Sequence, residues 1–332
     1  MNKETFLREL TENLASLSTE EREKVAAYYS EMISDKVENG AAEEAVIQDL
    51  GSPSEIAQQI CAEYSKAAEN QPSGNTDTAA PVPSQYTAAG NVKTIVLSAQ
   101  NIHVDVRSVP AGNVRVLFDP LPTDKVSVSE ADGAYTFTHS VPFHPFNWFG
   151  LFRSHGGITL EIPETFSGDV SVKTDNARIT AENLCRIKNG TFTTNNARVV
   201  VSGTECENLS VRTSNGKAEL ENCSGSVCKV KTNNSRITAH TCTFPGGIDL
   251  HTDNASINAD TITADKIVFK TNNGSINASI IGDARSYAIH SHTSNGQNNL
   301  PADWTFPGQT KQLSAETGNA HIAVQFVPAD VN

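Results

Sequence analysis

The chain has 332 residues, 38% of them hydrophobic and 6% aromatic, with a formal net charge of −13. That length suffices for two domains with cores of their own, and the acidity argues against general nucleic-acid binding, whose affinity comes from neutralising phosphates. No apolar run approaches the ~20 residues that span a bilayer, and the start, Met1-Asn2-Lys3-Glu4, lacks the apolar stretch of a secretory signal, so a cytoplasmic location, peripheral to the membrane at most, is expected.

Residues 1–69 read as a small α-helical bundle that holds most of the acidity: residues 1–70 carry 6 Lys/Arg against 15 Asp/Glu. Phe6, Leu7, Leu10, Leu14 and Leu17 recur at helical spacing. Ser18 and Glu21 fit a capping box, and Val25, Tyr28, Tyr29, Met32, Ile33 and Val37 form the apolar stripe of the helix that follows. Asn39-Gly40 supplies a left-handed stop. A third helix is expected from Ala42 to Leu50, ending at Gly51. In a fourth, Ser52 caps, Pro53 takes the first position and Glu55 closes the box, with Ile56, Ile60 and Tyr64 facing inward. Residues 70–90, rich in Pro, Gly, Ser and Thr, offer nothing to bury and read as a flexible linker.

From Val92 the period changes to alternation. Ile95/Leu97, Ile102/Val104/Val106, Val114/Val116/Phe118, Val126/Val128, Tyr135/Phe137 and Ile158/Leu160/Ile162 read as half-buried strands. Residues 91–168 are therefore an irregular β start, interrupted by an aromatic-rich insertion at 141–153. If that insertion is exposed, Phe146, Trp148, Phe149 and Phe152 are the expected partner contact; packing over the domain is the structural alternative.

From residue 169 to 327 the sequence repeats. Thr174, Thr194, Thr213, Thr232, Thr252, Thr271, Thr293 and Thr317 each precede an asparagine by two places, at intervals of 20, 19, 19, 20, 19, 22 and 24. Positions two and four before the threonine are mostly apolar, the position three after is always small, and positions five and seven after are again mostly apolar. This is strand, sharp turn, strand, looser return. One unit cannot bury its own inner face, so units must stack. The expected fold is mainly β: a parallel β-solenoid, β-helix-like, in which the last two intervals, 22 and 24, indicate insertions and a worn C-terminal cap. The asparagines are expected at the turn, tolerating left-handed backbone and donating amide to amide as a ladder. Ser291 and Asn298 break the apolar pattern in the seventh rung.

Two basic rows flank the asparagines. Lys173, Arg212, Lys231 and Lys270 stand one place before the threonine, with His251 and His292 in the same register. Arg178, Arg198, Lys217 and Arg236 stand four places after. Like charges ~4.8 Å apart repel by about 0.9 kcal/mol in water. Such rows either block edge-to-edge aggregation as solvated side chains or form a strip that binds acidic glycan or lipid headgroups. These eight residues are the candidate ligand-binding site.

Little else suggests chemistry. The six cysteines read as reduced thiols, with Cys223 and Cys242 alternating with aliphatics as small buried hydrophobes; a disulfide is the alternative. His290 and His292 share one strand face, but a metal needs a third ligand and Lys270 is expected on the rung below. Glu219 and Glu221 sit outward on a strand, as solvated carboxylates do. No hydrolase, zinc, P-loop or dinucleotide motif is present. No catalytic residue, metal site or cofactor is expected.

Residues 1–69 resemble the HAAS-type helical signalling domain of Gram-positive bacteria, on Met1 to Leu10, the Tyr28-Tyr29 pair and above all Asp49-Leu50-Gly51-Ser52-Pro53-Ser54-Glu55-Ile56-Ala57. Residues 92–327 resemble an adhesin-type β-solenoid family of unknown function, on Asn101-Ile102-His103-Val104-Asp105-Val106, Ile158 to Pro163 and the Thr-x-Asn-small repeats. The first resemblance implies a regulator or membrane-protein partner, the second a link to cell-envelope stress. Together they imply a non-enzymatic signalling or scaffold protein of envelope sensing. A surface adhesin for acidic glycans is the alternative, and a carbohydrate-active β-helix enzyme the more distant one.

Overall fold

The structure, a computed structural model, describes residues 1–38, 42–58, 60–61, 85–120, 124–140 and 157–328. The described residues fall into two compact units, one within residues 1–61 and the other within residues 85–328. The first contains α1 (Lys3–Asn13), α2 (Thr19–Glu38) and α3 (Glu43–Leu50), and residues 53–58 are helical as well. The Asn2 side chain caps α1 by accepting from the Thr5 N–H at 2.9 Å. Gly51, at φ 87°, stops α3. Phe6, Leu10, Leu14, Leu17, Val25, Tyr29, Ile33, Val46, Ile47, Ile56, Ala57 and Ile60 form its core. Val37, expected in the stripe, is exposed. Asn39, Gly40, Tyr64 and the side chains of Tyr28 and Met32 lie outside the described residues.

The second unit is built from strands. In chain order they begin with β1 (Gln85–Thr87), β2 (Thr94–Ala99), β3 (Val104–Val109), β4 (Arg115–Leu117), β5 (Lys125–Ala131), β6 (Ala134–Ser140) and β7 (Ile158–Pro163). There follow β8 (Asp169–Thr174), β9 (Ile179–Glu182), β10 (Ile187–Thr193), β11 (Val199–Ser202), β12 (Cys206–Arg212), β13 (Ala218–Glu221), β14 (Val227–Lys231) and β15 (Ile237–Thr243). The last are β16 (Gly247–His251), β17 (Ile257–Thr263), β18 (Lys266–Lys270), β19 (Ile276–Ile281), β20 (Tyr287–Thr293), β21 (Asp303–Trp304), β22 (Lys311–Thr317) and β23 (Ile322–Val327). One sheet runs β1-β4-β7-β3-β9-β11-β13-β15-β17-β19-β23 and the other β21-β20-β22-β18-β16-β14-β12-β10-β8-β2-β6-β5. From β8 to β19 each level contributes one strand to each sheet, paired in parallel with its neighbours in the repeat register. This is the parallel solenoid expected of the repeat. Every second side chain points inward, and the aliphatic rows merge into one continuous core.

The ends depart from chain order. At the start, β2/β3 stack directly on β8/β9, and β6/β7, although later in the chain, stack outside them. Antiparallel β4 and β1 cap one sheet edge, and antiparallel β5 caps the other. Residues 85–87, inside the expected linker, are thus a strand: Tyr86 packs edge-on against Phe137 and its carbonyl accepts from the Tyr135 hydroxyl at 2.7 Å. At the far end β22 pairs with both β18 and β20, so the eighth repeat slots between the sixth and the seventh. The intervals of 22 and 24 mark this swap, not a worn continuation. Ser291 is buried there because its hydroxyl donates to the Pro301 carbonyl at 2.7 Å and accepts from the Asn298 amide at 2.8 Å. At the rung below His292, Glu316 stands where Lys270 was expected.

Candidate functional site

Each threonine of the repeat points into the turn. The hydroxyls of Thr194, Thr213, Thr232, Thr252 and Thr271 donate to the carbonyl of the small residue on the preceding level, Ala177, Ala197, Gly216, Ser235 and Ala255, at 3.0–3.2 Å. Thr317 reaches Gly274 and Thr293 reaches Ala320, following the order of levels and not of sequence. The position after the asparagine must be small because the next turn lies almost on top of it: a Cβ on Gly216 would stand 1.7 Å from the Ala197 carbonyl oxygen.

The asparagine amides form one unbroken ladder. Asn295 donates to Asn319, Asn319 to Asn273, and so on through Asn254, Asn234, Asn215 and Asn196 to Asn176, each at 2.6–2.9 Å. Asn176 extends it to Asn101 at 2.7 Å. Asn101 escaped the repeat because Ala99 replaces its threonine. Of the ladder members only Asn101 has a positive φ, so the expectation of left-handed backbone at this turn fails for the rest. The left-handed residues stand nine places after the threonines, at Asn183, Gly203, Asn222, Thr241 and Thr261, with φ of 52–58°.

The structure places all eight predicted cations, exposed, along the ladder edge. On one side the register runs Lys173, Thr193, Arg212, Lys231, His251, Lys270, Glu316. On the other, Arg178, Arg198, Lys217 and Arg236 occupy consecutive levels, linked through the backbone bonds from Ile179 to Arg198, Val199 to Lys217 and Ala218 to Arg236. Arg198 pairs with Glu219, and Lys270 with Glu316 at 3.1 Å. The Lys270 ammonium bonded to Glu316 lowers that carboxyl's pKa. Among the described residues, Lys173, Arg178, Arg212, Lys231 and Arg236 have no carboxylate within ion-pair distance. Phe146, Trp148, Phe149 and Phe152 lie outside the described residues.

Other clusters resolve into structural roles. Glu161 is buried between Arg107 and Arg115. Burial pushes its carboxyl up, but the two guanidinium hydrogen bonds outweigh that and leave it below the usual range. A carboxyl depressed on folding contributes stability above its unfolded value near 4.5 that is lost as pH falls through the folded value. On the outer face of the first sheet, Asp260 accepts from Ser279 and lies 3.0 Å from His240 Nδ1. The Ser279 hydroxyl bond, helped by His240, holds its pKa down. The carboxylate stands in the middle, so the serine faces Asp260 and not the imidazole, and the order serine, histidine, carboxylate is not met.

All six thiols are unbridged, and Cys206, Cys223, Cys228 and Cys242 are buried. Burial pushes Cys206 up to about 11 and Cys228 well above its ordinary value; the hydrogen bond shared with Cys223, and then burial, raises Cys242. The same bond lowers Cys223; enclosed and held protonated, Cys206, Cys228 and Cys242 are packing groups. Among the described residues no three His, Cys, Asp or Glu are placed to hold a metal. A groove of about 230 Å³ on the second sheet is lined by Lys266, Val268, His290, Asp303, Gln312 and Ser314. A wider hollow of about 710 Å³ is lined by Lys93, Asn113, Thr165, Ser167, Asp169 and Lys188 among others.

A crystal structure described as a candidate cell adhesion protein from Clostridium sporogenes ATCC 15579 is similar at 10% identity, over 73% of this chain and 98% of that one, with a TM-score of 0.30. A likeness at that level says nothing about what this chain does. No curated protein matches. Residues 5–59 match the HAAS family. Residues 89–327, which hold every strand of the second unit but β1, match the Toastrack DUF4097 family, to which this chain belongs.

Proposed function

We propose that this chain is a non-enzymatic signalling or scaffold protein of bacterial envelope sensing. In this reading the helical unit engages a regulator or membrane-protein partner, and the solenoid presents its ladder edge to an anionic ligand such as an acidic glycan or lipid headgroups. The pairing of a HAAS region with a Toastrack DUF4097 region supports a surface- or signalling-related role without catalysis. The observation that carries the ligand side is the gathering of eight cations on one edge of a chain whose net charge is −13. Electrostatic attraction of this kind is local and works against the overall charge. No helix among the described residues is long and apolar enough to cross a membrane; a cytoplasmic position peripheral to the membrane is part of the proposal.

Retention of the full chain on a heparin matrix tests it. Retention at low salt is expected, and the triple variant Arg212→Glu, Lys231→Glu, Arg236→Glu should pass through. Flow-through of the unaltered chain, or equal retention of the variant, would remove the edge as a binding site. A surface adhesin using the same rows is the second reading. It separates from the first by location: immunolabelling of intact cells detects the adhesin only.

A further inference from the structure

We propose that the ligand of the ladder edge is a linear polyanion lying along the solenoid axis, in contact with successive levels; this rests on the anion-binding reading above. The first reason is dimensional. The cations occupy five of six consecutive levels, from Lys173 on β8 to Lys270 on β18, with His251 standing in the row on β16, a run of about 24 Å at ~4.8 Å per level. In width they are only two side chains, one on each flank of the turn.

The second reason is what lies between the rows. Each ladder asparagine spends one amide N–H on its neighbour and receives one from the other side. An amide has two N–H groups, so one per level remains, at an exposed position. The trough between the cations therefore offers an N–H donor on every level, at the pitch of the charges. A point anion uses one or two of these; a chain-like anion uses them in series and pays its positional entropy once.

The third reason is that the positive strip is bounded. Glu182, Glu219, Glu221 and Asp260 stand outward on the adjoining sheet face, Asp249 on the other, and Glu316 ends the row beyond Lys270. A broad anionic plane such as a bilayer would meet all those carboxylates, whereas a single chain meets only Asp175 and Asp253, which share the turn with the ladder and of which Asp253 is paired with His251 at 3.2 Å.

The test is calorimetric titration of the full chain with linear polyphosphates and heparin fragments of increasing length, against orthophosphate and phosphatidylglycerol vesicles. Affinity should climb with length in at least one polymer series and level off once the polymer spans about 24 Å. The salt dependence should steepen in step, since each neutralised charge releases a counterion. Arg212→Glu with Lys231→Glu divides the strip and should weaken the longest polymer by about tenfold or more through lost charge-assisted contacts. Lys188→Glu with Lys229→Glu makes the same charge change off the strip and should leave binding near that of the unaltered chain. Should the first pair fail to fold, serine at both positions reads the same contacts. Length-independent binding in both series, or vesicles preferred over both polymers, overturns the linear ligand while leaving the heparin result standing. Equal weakening by the two charge pairs overturns it as well. Absence of all binding, heparin retention included, overturns both readings.

Discussion

The solenoid turns at two corners, and they are built by opposite means. At the ladder corner the sequence repeats almost letter for letter, and beyond Asn101 no ladder residue has a positive φ. At the other, Asn183, Gly203, Asn222, Thr241 and Thr261 occupy one position with φ of 52–58° without one residue type common to all five. Repetition in a stacked fold thus marks side chains that bond to copies of themselves. Backbone strain need leave no such trace, because any residue that bears it will serve.

If that distinction holds, the ladder corner should be intolerant of volume. Gly216→Val forces a branched side chain against the Ala197 carbonyl and should destabilise the solenoid by about 3 kcal/mol or more, read as a large drop in Tm. Gly216→Ala brings only the Cβ against that carbonyl, without the two branches, and should cost less. Next in size is Thr213→Val, which keeps the shape but removes the donor to Ala197 and the acceptor of the Gly216 N–H; about 1–2 kcal/mol is expected from urea unfolding. Asn215→Ala opens the ladder at two exposed bonds and should cost about 1 kcal/mol, with faster amide exchange at the turns on either side. The smallest effect has the opposite sign. Thr241→Asn at the strained corner should stabilise by about 0.5 kcal/mol, since a β-branched residue is ill suited to left-handed backbone and asparagine is not. A loss of stability there would show that the threonine makes a contact outweighing its strain, and the contrast between corners would weaken.

These two corners also divide what was legible in the sequence from what was not. The ladder and the cation rows could be read because a fixed interval fixes the register: once Asn215 and Asn234 stack, Arg212 must stand beside Lys231. The left-handed corner could not, because Thr241 and Thr261 carry no conformational signal. Level order at the ends was also hidden, since it depends on which distant strand β22 pairs with, and spacing reports only how much chain intervenes. Asn101 was recoverable, two places after Ala99 at the end of an alternating strand, but a search keyed on threonine passes over it. Glu219 and Glu316, which neutralise Arg198 and Lys270, come from different rows and became visible only in three dimensions.

The slot filled by β22 has a consequence for synthesis on the ribosome. Both strands that flank it, β18 and β20, precede it in the chain, so the nascent protein holds an unfilled gap until residues 311–317 emerge. The opposite end is sealed by β1, β4, β5 and β6/β7 before the first regular repeat is made. Maturation is therefore polar, closed early at one end and last at the other. A ribosome stalled before residue 311 would leave the backbone edge of β18 open to any extended peptide in reach, which makes the seating of β22 the step that separates a finished molecule from an aggregation nucleus.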